Sequence, residues 1–473
     1  SINSFLPKDI DDTVAEKLVN AYIDRLDKNP QLHDKIEFDV VQTAFDFSID
    51  DNFAERYPSL LTKEELTSYK NALRQITVDS IKLGENSSLK SALNNIEFLK
   101  EIQKKEFIHN KNDSFSIADQ INNLVNECVK YGTLPFSILA RHGFIAESLL
   151  RSSLKKNVIT EERLKEFRRS IVTVAGEMSH DFNLVLTKKL TQEDYLEKYG
   201  HLRPSSYDIL SPNYANRKDL FDGQTIREPH LIVPFKLTNQ ENDGINRLLN
   251  ENELYTVNAE ELLLYAEEAV KGREYAKFIF TKHLSNILEL TAKWGELKGF
   301  TREQVSMLTI NEILEILVSP LTKDVKLYFE NKLNSAEENF KIASSFKLSY
   351  LIRSTRDVHI VPMQRSSPNF IGNQRIEGEV VELTPYLEDI PDLKGKIICI
   401  EGADPGYDWI FTRNIAGLIT KYGGANSHMA IRCAEYDLPA AIGCGEQPFE
   451  RVINSKKCLL DCQGKRLEPI EIN

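Results

Sequence analysis

The chain is best read outward from Gly417-Leu-Ile-Thr-Lys-Tyr422, Gly423-Gly-Ala-Asn-Ser427, His428-Met-Ala-Ile-Arg-Cys-Ala-Glu435, Tyr436-Asp-Leu-Pro439 and Ala440-Ala-Ile-Gly443. In order, these pieces read as strand, glycine turn, helix, tight turn and strand. Gly423 and Gly424 permit backbone angles closed to other residues and let another group approach closely. Asn426 or Ser427 suits an N-cap, and Ile431 and Ala434 give the helix a buried side. His428 therefore falls in the first turn of a helix. A neutral imidazole there is nucleophilic at nitrogen, with an ordinary pKa of about 6.5. The free N–H groups and positive end of the helix favour an incoming anion by roughly 0.3–1 kcal/mol when exposed, and up to ~2 kcal/mol when partly buried. The same residues also describe a capped surface histidine beside an ordinary glycine turn. The sequence does not identify the acceptor that would fix the ring's tautomer.

Outward from this segment, short β-like runs occupy Val358–Val361, Gly378–Leu383, Lys396–Ile400, Gly417–Thr420, Ala440–Ile442 and Lys457–Leu460, separated by Gly and Pro turns. They make 375–473 a small α/β domain of ordinary size. The segment 356–374, rich in Ser, Asn, Gln and Pro, reads as a hinge or linker. Residues 1–355 read as a large, mainly helical domain. Thr13-Val-Ala-Glu16 has the form of a capping box. Val14, Leu18, Tyr22 and Leu26 then recur every four residues, and Asn29-Pro30 ends that helix. Further helices are expected near 63–83, 88–105, 115–130, 137–154, 160–189, 259–296 and 323–343, with starts at Thr301–Gln304 and Thr309–Glu312. Between about 203 and 257 the periodicity disappears, and Pro204, Pro212, Pro229 and Pro234 predict long loops with a short strand at His230–Phe235.

The chain has 473 residues, with 59 basic and 71 acidic side chains and a net charge of −12. No basic block is present, which argues against nucleic-acid and anionic-membrane partners. No apolar run approaches the ~18 residues needed to span a bilayer. Six cysteines in this length do not make a disulfide scaffold, and the thiols are expected to be reduced in a cytoplasmic protein. Cys458 and Cys462 lack ligand partners at zinc spacing, and no metal site is expected.

The histidine segment resembles the swivelling phosphohistidine domain of the phosphoenolpyruvate-utilising family, which includes phosphoenolpyruvate synthase, pyruvate phosphate dikinase and the rifampicin phosphotransferases. Gly423, Gly424, Ser427, His428, Pro439, Ala440 and Gly443 match its pattern. Asn426 stands for the usual Thr, and Arg432 lies two residues before the usual Arg position, here Ala434. The likeness runs from about Ser367 to Glu468. It implies His428 as phosphoacceptor, supported by Gly423, Gly424, Asn426 and Ser427. Asp404, Asp408 and Arg413 are candidates for docking or phosphate contact; turn capping by Asp404-Pro405-Gly406 is the plainer reading. The domain order resembles that of the rifampicin phosphotransferases, so an N-terminal ATP-binding domain is expected to be missing from this chain. ATP and Mg²⁺ would act there, with AMP and phosphate released as His428 is loaded.

Tyr131–Glu147 and Tyr199–Asp208 resemble stretches of the family's acceptor domains, nearest to the kinases that phosphorylate L-glutamine for capsular phosphoramidate synthesis. That likeness implies the side-chain amide nitrogen of L-glutamine as acceptor. An amino acid needs a cation for its carboxylate and acceptors for its ammonium. Arg141 and Arg203 are candidates for the first task, Glu147 and Asp208 for the second. His142 and His201 could take a proton or steady the moving phosphoryl group. Each also has a structural reading as an ion pair, loop pin or packed residue. His33, His109, His180, His230, His283 and His359 form no recognisable cluster. A hydroxyl-directed phosphotransferase acting on an antibiotic or sugar, and a regulatory module that is never phosphorylated, are the rival readings.

Overall fold

The structure is a computed structural model. It describes every residue except 1, 34, 105–112, 218–219, 222–232, 319–323, 347, 349–350, 353, 360–366, 387–389, 426 and 473. Asn426, His109, His230 and part of the expected hinge thus lie outside the described residues. The contacts divide the chain into two compact units. One comprises 1–100, 131–174 and 230–278; the other comprises 101–130, 175–229 and 279–473. No helix among the described residues is long and apolar enough to cross a membrane.

The first unit is helical. Val14, Leu18, Tyr22 and Leu26 form the buried stripe of Asp12–Lys28, as their spacing predicts. The Tyr22 and Tyr69 hydroxyls meet at 2.9 Å within this core, and Leu73, Leu139, Ile145 and Leu149 are buried in the same unit. The capping box expected at Thr13–Glu16 is not formed. The helix begins at Asp12 with Asp11 as N-cap, and the Thr13 hydroxyl itself donates to Asp11. A carboxylate two residues upstream is the stronger acceptor for the free N–H groups. The stretch 160–189 is two helices: Glu161–Ser170 belongs to this unit, and Val174–Leu186 belongs, from Ala175 on, to the second. The aperiodic region also holds a helix, Asn239–Glu251, closed by a complete Thr238/Glu241 capping box. Its Asn-rich sequence has low intrinsic propensity, and burial of Ile245, Leu248 and Leu249 supplies the stabilisation. Residues 233–238 form no strand.

The second unit combines helices with a seven-stranded sheet of β1 (Asn369–Ile371), β2 (Arg375–Leu383), β3 (Ile397–Gly402), β4 (Gly417–Tyr422), β5 (Ala440–Ile442), β6 (Ser455–Asp461) and β7 (Arg466–Ile472). The strand order is β1-β5-β4-β3-β2-β6-β7. The pairs β2–β3, β3–β4 and β4–β5 are parallel, and the flanking pairs are antiparallel. Ile397–Ile400 and Gly417–Thr420 are buried at every position, which explains their continuous apolar runs. The expected strand at Val358–Val361 is instead a short helix, Arg356–His359, over its described part. β1, β7 and the helix Glu446–Ile453 extend the pattern beyond the expected runs.

All six cysteines are buried and unpaired by disulfides. Cys399, Cys444, Cys458 and Cys462 pack in the sheet core with Ile397, Ile419, Phe449 and Leu460. Burial raises the Cys462 thiol to about 11 and the Cys458 thiol to about 12. These cysteines act as small apolar side chains.

Candidate functional site

The parallel strands β3 and β4 end side by side, and the chain leaves each toward the same region. After β3 it forms the 3₁₀ turn Pro405–Arg413; after β4 it crosses Gly423 into the helix His428–Glu435. Carboxyl ends of adjacent parallel strands are where open α/β sheets assemble sites. Gly423 has φ +132°, and a Cβ there would lie 2.6 Å from the Ala403 Cβ. The glycine is thus required both by conformation and by close approach to the β3 exit. Ser427 is the N-cap; its hydroxyl accepts from the Ala430 N–H. His428 is the first helical residue.

The ring of His428 is 16% exposed, and its Nε2 lies 2.7 Å from Asp408 Oδ1. Asp408, on the 3₁₀ turn, has no exposed side-chain surface. It supplies the tautomer-fixing acceptor that the sequence left unidentified. With Asp408 ionised, Nε2 carries the proton and donates it, and the lone pair resides on Nδ1. A phosphoryl group on Nε2 would have to displace this contact.

Arg432 lies one helical turn beyond His428, so the two side chains share a face. Its Nε is 3.3 Å from Asp408 Oδ1 and 3.2 Å from Oδ2, the latter an ionic contact without hydrogen-bond alignment. Burial pushes the Asp408 carboxyl up, but Arg432 and His428 outweigh it and hold the pKa below the ordinary carboxylate value. Burial also opposes the charge on Arg432, yet Asp408, Tyr436 and Glu435 hold its pKa above the usual guanidinium value. The remaining Arg432 donors reach Glu435 Oε2 at 2.6 Å, the Tyr436 hydroxyl at 2.8 Å and Ser179 Oγ at 2.5 Å. Ser179 also accepts from the Tyr436 hydroxyl at 2.9 Å. Arg432 was visible in the sequence as a displaced arginine; its i, i+4 spacing from His428 was the available signal. Nothing local in the sequence marks Ser179.

The turn also packs on the loop after Tyr199. Asp404 caps the turn through the Gly406 N–H at 2.8 Å, the plainer of the two readings of it, and also accepts from the Ser206 hydroxyl at 3.1 Å. The Tyr214 hydroxyl donates to the Gly406 carbonyl at 2.9 Å. A Cβ on Gly406 would sit 1.8 Å from the Arg203 carbonyl oxygen, so only glycine fits. Arg413 and Arg217 both lie over the Trp409 ring.

The acceptor candidates fall into two groups. In the first unit, Arg141 donates to the Thr43 carbonyl at 2.9 Å and covers the Phe5 ring. Glu147 pairs with Arg151 and Arg168. His142 is buried, with Nε2 at 2.9 Å from Ser88 Oγ and Nδ1 at 2.9 Å from the Tyr265 hydroxyl; burial lowers its pKa to about 4. In the second unit, Arg203 is 2% exposed and donates to Glu289, Ser285 and the Ser211 carbonyl. Asp208 accepts from the Leu210 N–H and the Tyr386 hydroxyl. His201 is half-buried. His283 is buried between Gln103 and Glu127. Among the described residues, no group of three or more His, Cys, Asp and Glu side chains is placed to hold a metal ion.

Residues 392–464 match the family model for the mobile domain of PEP-utilising enzymes. That span contains β3, β4, Asp408 and His428, and the match supports the PEP-utilising family for this part of the chain. The chain is also similar to the rifampicin phosphotransferase of Bacillus subtilis (strain 168), at 24% identity over 318 residues, covering 59% of this chain and 33% of that protein. The chain thus spans about a third of this relative's length.

Proposed function

We propose that this protein is a phosphotransferase that carries a phosphoryl group on His428 and delivers it to a small-molecule acceptor. One observation carries the reading: a partly exposed imidazole at a helix N-terminus is held through one nitrogen by a buried carboxylate that is itself fixed by Arg432. In loading, a ring nitrogen lone pair attacks phosphorus, and the bond to the leaving oxygen breaks with its electron pair. In transfer, the acceptor's lone pair attacks, the N–P bond breaks, and its pair returns to the ring. The acceptor's proton then passes to solvent or to the nitrogen just released.

ATP, Mg²⁺ and an ATP-binding domain remain part of this proposal through the resemblance. For the acceptor, the likeness of 131–147 and 199–208 supports the L-glutamine side-chain amide. A hydroxyl acceptor is the second reading, favoured by the apolar cavity beside Tyr207 and Asp208.

Incubation with potassium phosphoramidate followed by mass spectrometry and peptide mapping tests the carrier role. An acid-labile phosphoryl adduct on His428, missing from His428→Asn and discharged by an acceptor, is expected. Equal labelling of both proteins overturns the reading.

A further inference from the structure

The helix Ala259–Lys298 carries Arg273 in the part of it that belongs to the first unit. The arginine stem crosses the helix Leu134–Lys155 at Gly143, where a Cβ would lie 3.3 Å from Arg273 Cδ. The guanidinium then reaches Phe144, with Cζ 5.7 Å from the ring centre. Phe144 packs edge-on against Phe38, and Phe38 follows Glu37 on the π-helical turn Ile36–Val40. Arg273, Phe144, Phe38 and Glu37 are all half-buried.

Arg273 stands apart from the other enclosed arginines. Among the described residues it makes no hydrogen bond and no ion pair. Its nitrogens are not sealed off either: the Nε atoms of Arg74, Arg141, Arg203 and Arg413 are buried without partners, whereas no Arg273 nitrogen is. Burial lowers its pKa, and Glu37 does most to sustain its charge, ahead of Glu274 and Glu147. Glu147 is already paired with Arg151 and Arg168. The Glu37 carboxylate, like the guanidinium, has no hydrogen bond or ion pair among the described residues. A half-buried cation and a half-buried carboxylate that lie near each other without closing to an ion pair are a cost the fold does not offset by itself.

We infer that Arg273 and Glu37 are the two poles of a subsite for a free α-amino acid, Arg273 taking the carboxylate and Glu37 the ammonium. A guanidinium presents a fork of donors matched to a carboxylate. The Phe144 ring offers an apolar side to the carbons between the charges. The acidic groups around Arg273 disfavour a multiply charged anion such as phosphate and suit a zwitterion, which brings its own cation. This rests on the amino-acid acceptor proposed above and gives its α-groups a place in the first unit, where Arg141 and Glu147 are committed to partners of their own.

Calorimetric titration with L-glutamine is the test. Saturable binding is expected, weakened at least about tenfold by Arg273→Met. Because Arg273 has no partner in the fold, the melting temperature of Arg273→Met should equal or exceed that of the parent protein. A lowered melting temperature would mark a structural arginine and overturn the site. Glu37→Gln separates the two poles. It should weaken L-glutamine at least about fivefold while leaving glutaramic acid, which lacks the ammonium, no weaker; Arg273→Met should weaken both. No saturable L-glutamine binding, undiminished binding by Arg273→Met, or equal weakening of the two ligands by Glu37→Gln overturns the subsite. Displacement of L-glutamine by an equal concentration of inorganic phosphate overturns the ligand class. Phosphoramidate labelling of His428 is measured in parallel. Failure of labelling with L-glutamine binding retained sinks the carrier reading alone, and retained labelling without L-glutamine binding sinks the subsite alone.

Discussion

Asp408 has two cationic or protonatable neighbours, Arg432 and His428, and no solvent, so its charge is structural as well as functional. Asp408→Asn would leave Arg432 buried without its main counter-charge. Breaking such a pair from one side costs about 3–5 kcal/mol, and urea unfolding should show a loss of that order. His428→Asn should cost about 1 kcal/mol or less, because the ring is partly exposed and leaves the Asp408–Arg432 pair intact. The depressed pKa of Asp408 means its contribution is present above the ordinary carboxylate pKa and is lost as pH falls through the folded value. His142 acts at higher pH. Its folded pKa of about 4 lies below the ordinary 6.5, so the unfolded chain binds more protons between these values. Stability should therefore fall as pH drops from about 6.5 to 4, by roughly 3 kcal/mol from this residue. His142→Gln should flatten that part of a stability–pH curve measured by denaturant titration; an unchanged slope would refute the assignment.

At the scale of elements, two glycines fix how the turn and helix leave the sheet. Gly423→Ala would combine a left-handed backbone with a clash against Ala403, at about 1–3 kcal/mol. Gly406→Ala would push the turn off the Arg203 carbonyl while leaving the strands unaltered. It should speed amide exchange at 203–217 with little change at β3 and β4. Gly423 was legible because a glycine pair precedes a helix start. Gly406 was legible only as part of an Asp-Pro-Gly turn, since the opposing backbone is about 200 residues away in sequence. The helix Asn239–Glu251 shows a further limit. Its capping box, Thr238-Asn-Gln-Glu241, was readable, but Asn and Gly weakened the periodic signal. The Asp11 cap was likewise hidden by a better-known pattern at Thr13, and only the hydrogen bonds distinguish the two.

At the scale of the molecule, the links from Ser179 to Arg432 and Tyr436 tie a helical segment to the residues around His428. A hydrogen bond to a charged group contributes about 1.5–3 kcal/mol. Ser179→Ala should therefore raise local amide exchange in 428–436 by roughly 10–100-fold while the sheet stays protected. Unchanged exchange would show that the link does not hold the site. The sequence by itself determined the strand–turn–helix–strand unit and the place of His428 in it, because glycine turns, caps and apolar runs act over a few residues. Only the tertiary structure decided that Asp408 holds the ring, that Arg432 and Ser179 support it, and that Arg203 is enclosed by partners of its own. Those are pairings between distant segments, chosen by burial and charge once the strands have met, and no local spacing encodes them.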